Sequence, residues 1–178
     1  NPLISDPWSP AALKGRHNLT LPRNILGIHR PGSYAQLISA PAANVFALPA
    51  AMSLEHAALT EPMACALRAV KLSGCTATDS VLITGLGPIG LLVLQVVKAF
   101  GVQEIYATDT DADRRTIGGH FGVHILNPLE QNVVETVRSA THGAGVDMAI
   151  DAVGATATRG ECINSVTPGG KVIFNGLH

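Results

Sequence analysis

The sequence is poor in charge, in aromatic residues and in cysteine, and each shortage removes a class of protein. Charged residues make up 14% of the 178 positions against 47% hydrophobic ones, so the chain has apolar material for a core and lacks the composition of a disordered segment. The formal net charge of -1 provides no basic excess for phosphate neutralisation, and 4% aromatic residues offer few stacking platforms, so nucleic acid is not expected as a partner. Cys65, Cys75 and Cys162 are odd in number and have no partner at metal-knuckle spacing. A disulfide framework and a cysteine zinc site are therefore not expected, and a reducing, cytoplasmic setting fits best. The most apolar stretch, Ile89 to Val97, contains Gln95 and is followed by Lys98, too short and too polar for a membrane span. No basic-then-apolar leader and no initiator methionine stand at Asn1, and the sequence reads as the internal portion of a longer protein, truncated at both ends. Asn18-Leu19-Thr20 matches a glycosylation tripeptide, a pattern that arises often by chance. Nucleophile-elbow, phosphate-loop lysine and kinase motifs are missing, which leaves hydrolase and phosphotransferase chemistry unsupported.

What is present changes character along the chain. Residues 1–32 are rich in Pro, Gly, Asn and basic residues with weak periodicity and read as loop. Tyr34-Ala35-Gln36-Leu37-Ile38 and Val45-Phe46-Ala47-Leu48, separated by Pro41, read as small strands at the tail of a β-rich domain covering 1–52. Residues 53–76 are Ala-rich and read as connecting helices, with a break at Glu61-Pro62 where proline suits the first turn of a new helix. From residue 77 to 178, apolar strands at 81–84, 104–108, 124–126, 146–151 and 171–175 alternate with helices near 88–100, 112–121, 129–140 and 156–166. That alternation implies an α/β fold, a doubly wound parallel sheet with right-handed crossovers. Five of the six strands usual for a dinucleotide-binding Rossmann sheet are accounted for, and the fifth is expected to be an unprotected edge through which the chain self-associates.

Val81-Leu82-Ile83-Thr84 runs into Gly85-Leu86-Gly87-Pro88-Ile89-Gly90, a Gly-x-Gly-x-x-Gly turn between a strand and a helix. Gly85 turns the chain, Gly87 lets backbone approach a pyrophosphate, and Gly90 permits close packing of helix on strand. Pro88 near the helix start costs no hydrogen bond. The free N–H groups and positive dipole end of this helix attract an anion without a lysine. Asp109 ends the next strand, 19 residues after Gly90, near the ~20 expected for the carboxylate that holds the adenosine ribose. A carboxylate there accepts from the 2′- and 3′-hydroxyls and repels a 2′-phosphate, so NAD(H) is expected over NADP(H). Arg114 has three open readings: stacking on adenine, attraction of a 2′-phosphate, or a solvated helix position.

With Gly32-Ser33-Tyr34-Ala35-Gln36-Leu37, Leu48-Pro49, Ala58-Leu59-Thr60-Glu61-Pro62, the glycine turn, Asp151-Ala152-Val153-Gly154 and Gly169-Gly170-Lys171-Val172-Ile173, the whole chain resembles the zinc-type medium-chain dehydrogenase/reductase family, near its sorbitol and threonine dehydrogenase branches. The resemblance implies a full-length relative about twice this long, with a GroES-like catalytic domain of which 1–52 is the incomplete tail, a cofactor domain at 77–178, and catalytic zinc in the cleft. It carries Gly85, Gly87, Pro88, Ile89, Gly90, Asp109 and Arg114 onto cofactor-binding positions. Ala152 and Val153 after the fourth strand, and Asn175 and Gly176 after the fifth, fall where relatives line the adenine-to-nicotinamide side of the cleft, or else simply end strands.

The same resemblance places Glu61 at or near the catalytic zinc, where relatives hold a cysteine or glutamate. The alternative is a first-turn acid that complements the helix dipole, with Thr60 as cap. One carboxylate cannot hold zinc, which needs about three protein ligands. Relatives also carry four cysteines that close a structural zinc lobe; here those positions are Asp6, Ser9, Ala12 and Thr20, so the lobe is expected to be metal-free. His17, His29, His56, His120, His124, His142 and His178 read as ordinary surface or core residues. No catalytic residue is identified. The expected function is the NAD-binding portion of an enzyme moving hydride between a secondary alcohol or polyol and NAD, inactive as this chain alone. The competing readings are a non-catalytic NAD-binding module or gene remnant and, with less support because of Glu61-Pro62, a zinc-free quinone reductase-like protein.

Overall fold

A computed structural model describes residues 1–177; His178 lies outside the described residues. The chain divides into two compact units, Asn1–Ala58 and Leu59–His178.

In the first unit the only regular pairing is between β1 (Leu3–Ile4) and β2 (Asn24–Ile25), antiparallel with Leu3 opposite Ile25. Short 3-10 turns lie at Ala12–Lys14, His17–Leu19 and Ala42–Asn44, and α1 (Leu54–Ala58) ends the unit. The stretches 34–38 and 45–48, expected as strands, are not strands. Their apolar residues have no ladder to join, and Tyr34, Leu37, Val45 and Phe46 are exposed. Without a neighbouring strand to take backbone N–H and C=O groups, β-prone residues gain nothing from extension in register.

The second unit opens with α2 (Thr60–Ser73), closed by Gly74 in the left-handed region at φ 71°. The helix break falls at Leu59 rather than at Glu61-Pro62, and Thr60 is a helical residue, not the cap. Leu59 itself has helical angles and makes no side-chain cap bond, so the chain passes almost directly from α1 into α2 and leaves no extended residue to serve as a cap. There follow β3 (Ser80–Thr84), α3 (Pro88–Ala99), β4 (Glu104–Thr108), α4 (Ala112–Gly119), β5 (His124–Leu126), α5 (Val133–Ala140), β6 (Val146–Asp151), α6 (Thr156–Ser165) and β7 (Val166–Phe174). Asp111 and Asn132 cap α4 and α5 by accepting from the N–H groups of Arg114 and Glu135, which is why α5 starts later than its apolar pattern suggested.

The strands form one parallel sheet in the order β5-β4-β3-β6-β7. Alternate residues of each strand feed opposite faces. Val81, Ile83, Ile105, Ala107, Met148 and Ile150 pack with Val70 of α2 and Val93 and Val97 of α3, whereas Leu82, Tyr106 and Ala149 pack with Val133 and Val137 of α5 and Cys162 of α6. Both faces being covered explains why the strands read as continuous apolar runs. β7 begins at Val166, five residues earlier than expected. It pairs at Val166 with Val146, bulges through Thr167 to Gly170, and resumes at Lys171 opposite Met148. With β5 it is one of the sheet's two edge strands among the described residues, and Phe174 is 51% exposed.

Candidate dinucleotide site

The expected site residues gather at the carboxyl ends of the central strands, where the sheet order reverses around β3. Backbone bonds tie these ends together beyond the ladders: the N–H of Gly85 donates to Thr108 O (2.8 Å), that of Ala152 to Thr84 O (2.9 Å), and those of Asn175 and Gly176 to Asp151 O (2.9 and 2.8 Å). Gly85, Gly90, Ala152, Val153 and Gly176 thus meet in one packed rim.

The three glycines of the turn differ in what requires them. Gly85 sits at φ 89°, and a Cβ on Gly90 would fall on the carbonyl of Gly85, so both are fixed by the chain's own packing. Gly87 is different: it has φ -66°, which any residue adopts, and a Cβ there would meet nothing nearer than Arg114 Nη1 at 3.8 Å. The space over Gly87, at the N-terminal end of α3, is a cradle that a side chain would fill. Pro88 occupies the first turn of α3 without cost, and Ile89 points its half-buried side chain into the core. Gly176 has a role inside the chain, since a Cβ on it would collide with Val153 and Gly154 backbone.

Asp109 is 7% exposed and holds the glycine turn directly. The N–H of Leu86 donates to its Oδ2 at 2.7 Å and that of Asp111 to its Oδ1 at 2.8 Å. Each carboxylate oxygen retains acceptor capacity beyond these bonds. Arg114 Nη1 stands 3.8 Å from Asp109 Oδ2 with its side chain 52% exposed. Its neighbour Arg115 is instead tied to the carbonyls of Asp109 and Thr110 at 2.9 and 2.8 Å. Gly85, Asp109, Arg114 and Val153 line a cavity of about 350 Å³ that continues to Leu129 and to Thr158 and Glu161 of α6.

The sequence reasoning missed a buried polar cluster beneath this rim. Asp151, fully buried, accepts from Thr84 Oγ1 (3.1 Å) and from the N–H groups of Val153 (3.0 Å) and Gly154 (3.1 Å), and Arg159 Nε lies 3.8 Å away. Burial and the negative charge of Asp151 push the Glu161 carboxyl above the ordinary range, and burial above all pushes the Cys162 thiol up to about 12. A signal existed: an aspartate at the end of an apolar strand, with Thr84 at the matching place of the paired strand.

Zinc does not fit the residues present. Among the described residues no three His, Cys, Asp or Glu side chains come together as a metal site. Glu61 lies in the exposed first turn of α2, where among the described residues its carboxylate accepts only from the Cys65 thiol at 3.6 Å. In the first unit, Asp6, Ser9, Ala12 and Thr20 do come together, as a hydrogen-bonded cluster. Ser9 Oγ donates to Asp6 O at 2.9 Å, accepts from Ala12 N–H at 3.2 Å, and lies 3.3 Å from Thr20 Oγ1, with Ser9, Ala12 and Thr20 all buried.

A family model described as zinc-binding dehydrogenase matches residues 88–178. The chain belongs to the zinc-binding dehydrogenase family. L-threonine 3-dehydrogenase of Pyrococcus furiosus is 35% identical over 94% of this chain and 48% of its own length, and sorbitol dehydrogenase of Bacillus subtilis is 32% identical over the same shares. The chain therefore spans about half the length of the curated relatives it matches. Among solved structures, a zinc-binding dehydrogenase of Sinorhizobium meliloti bound to NADP superimposes with a TM-score of 0.92 at 31% identity, over 99% of this chain and 53% of that one. These matches agree with the resemblance read from the sequence motifs. No helix among the described residues is long and apolar enough to cross a membrane.

Proposed function

We propose that the Leu59–His178 unit holds a nicotinamide adenine dinucleotide across the carboxyl ends of β3, β4 and β6. The observation that carries this reading is the cradle at Gly87: glycine stands there although neither backbone angle nor packing in the chain demands it. The pyrophosphate would lie over Gly87, Pro88 and Ile89 at the start of α3, where unpaired N–H groups and the helix dipole favour an anion. Gly85 and Gly90 shape the turn beneath it. The adenosine ribose would bond the spare acceptor sites of Asp109, and Ala152, Val153 and Asn175 would border the path toward the nicotinamide, with Gly176 supporting it from within the packing. The negative charge of Asp109 favours NAD(H) over NADP(H). A second preference is supported by Arg114, exposed and facing the same place, and by the bound NADP of the Sinorhizobium relative.

Membership of the family supports a fuller reading. The chain serves as the dinucleotide-holding part of an alcohol or polyol dehydrogenase, in which a bound nicotinamide supplies hydride transfer. By itself the chain binds without turnover, because its residues do not assemble a zinc site. A non-catalytic binding module makes the same prediction for the isolated chain. A further partner is a second copy, paired strand to strand along β7, one of the two edge strands among the described residues.

Titration with NADH and NADPH, followed by nicotinamide fluorescence, tests the reading. Saturable NADH binding, weaker for NADPH, supports it; binding of neither refutes it. Polyol oxidation at enzymic rates by the purified chain would refute the claim of binding without turnover.

A further inference from the structure

Asp151 ties together the ends of three strands in the second unit. Its buried side chain accepts from Thr84 Oγ1 at the end of β3 (3.1 Å) and from the N–H groups of Val153 and Gly154 after β6 (3.0 and 3.1 Å). Its main-chain carbonyl accepts from Asn175 and Gly176 after β7. The segment it holds abuts the glycine turn: a Cβ on Gly85 would strike Val153 Cγ2 at 2.5 Å, and one on Gly90 would lie 3.5 Å from Ala152 Cβ. A displacement of residues 152–154 is therefore passed by packing to the turn over which a dinucleotide would lie.

A fully buried carboxylate needs a compensating charge. Among the described residues the only cation within 4 Å of Asp151 is Arg159, the fourth residue of α6, whose Nε stands 3.8 Å from Asp151 Oδ2. That Nε is buried and makes no hydrogen bond, so its tie to Asp151 is one of charge. The guanidinium lies 5.6 Å from the centre of the Phe174 ring, and the side chain as a whole is 43% exposed, so the cation keeps part of its hydration. A cation so near the start of a helix opposes the helix dipole, and α6 itself gains nothing from it. The other ionisable neighbours have the wrong sign to compensate. They are Glu161, whose carboxyl is pushed above its ordinary range by burial and by Asp151, and Cys162, whose thiol is pushed up to about 12, by burial above all. Arg159 does not line the cavity beside Asp109.

We propose that Arg159 is a positioning residue for the dinucleotide: its charge balances Asp151, and Asp151 in turn sets Val153 and Gly154 against the glycine turn. The assignment rests on the dinucleotide reading above and extends it to a residue that touches no ligand. Without the guanidinium, the buried carboxylate draws its compensation from water or a proton. Either one competes with the N–H groups of Val153 and Gly154 for the carboxylate oxygens.

The test is a double-mutant cycle on NADH affinity, read by fluorescence titration at a temperature where circular dichroism shows the variants folded. Arg159→Met removes the charge and keeps an apolar stem, Arg159→Lys keeps the charge, and Asp151→Asn removes the charge that Arg159 balances without changing the shape. Arg159→Met should weaken NADH binding about tenfold, within the range for residues that couple to a site without touching its ligand. Arg159→Lys should restore binding to within about threefold, and in the Asp151→Asn background Arg159→Met should change it by less than about twofold. An unchanged affinity in Arg159→Met, or a loss just as large in the Asp151→Asn background, would overturn the assignment and leave the cofactor reading intact. Should Arg159→Met alone not fold, the two Asp151→Asn chains decide: equal affinities uphold the charge role, and a loss of about tenfold overturns it. Failure of the unsubstituted chain to bind NADH would overturn both.

Discussion

Two buried aspartates divide the work at the strand ends. Asp109 faces the cavity and keeps acceptor capacity outward, so Asp109→Ala should weaken NADH binding at least about tenfold, measured by fluorescence titration, through loss of charged hydrogen bonds to the ribose. Asp151 faces inward and satisfies the N–H groups of Val153 and Gly154 together with Thr84 Oγ1. Asp151→Ala would remove the acceptor of three donors, the buried Gly154 N–H and Thr84 hydroxyl and the part-buried Val153 N–H, and a loss of about 2–4 kcal/mol in urea denaturation is expected. The two differ in legibility. Asp109 could be found from the sequence because its distance from the glycine turn is set by the length of a helix and a strand. Glu161 could not, because its place on the cavity wall depends on how α6 packs against the sheet, and a single glutamate in a helix gives no periodic signal.

At the scale of elements, the glycine turn and the two strand starts behave as separate devices. A methyl group on Gly90 would meet the Gly85 carbonyl, whereas one on Gly87 would meet only Arg114 Nη1, at a comfortable 3.8 Å. Gly90→Ala should therefore lower the melting temperature or prevent folding. Gly87→Ala should melt as the unsubstituted chain does yet bind NADH less tightly, since the added methyl group lies where the pyrophosphate would sit. At the opposite end of the sheet, Asp147 of β6 accepts from Ser80 N–H (2.8 Å) and Ser80 Oγ (2.7 Å) at the start of β3, and these bonds lower its pKa. A depressed acid stabilises the fold above its unfolded pKa, about 3.9, and loses that contribution as pH falls through the folded value. Asp147→Asn should thus melt at a lower temperature than the unsubstituted chain near neutral pH, with the gap closing as pH falls below the unfolded value and through the depressed folded one. Solvent screening at this exposed site keeps the effect small.

Across the whole molecule, the second unit was legible nearly strand for strand because periodicity, caps and glycine punctuation agree there. The first unit was not, because short apolar stretches such as 34–38 become strands only beside other strands, and no such neighbour is present among the described residues. The bulge of β7 was hidden for a related reason: Pro168-Gly169-Gly170 reads as a turn before a strand, while the pairing of Val166 with Val146 is a long-range event. If β7 pairs with a second copy, sedimentation should show concentration-dependent self-association, and Phe174→Lys should weaken it by placing charge on the edge.

The central claim is that a dinucleotide sits at the start of α3 with its ribose on Asp109. The most direct measurement is an amide NMR titration of the labelled chain with NADH. The account predicts saturable shifts largest at Leu86, Gly87, Ile89 and Gly90 and at Asp109 to Asp111. Shifts that fail to saturate, or that centre away from the glycine turn, would contradict it.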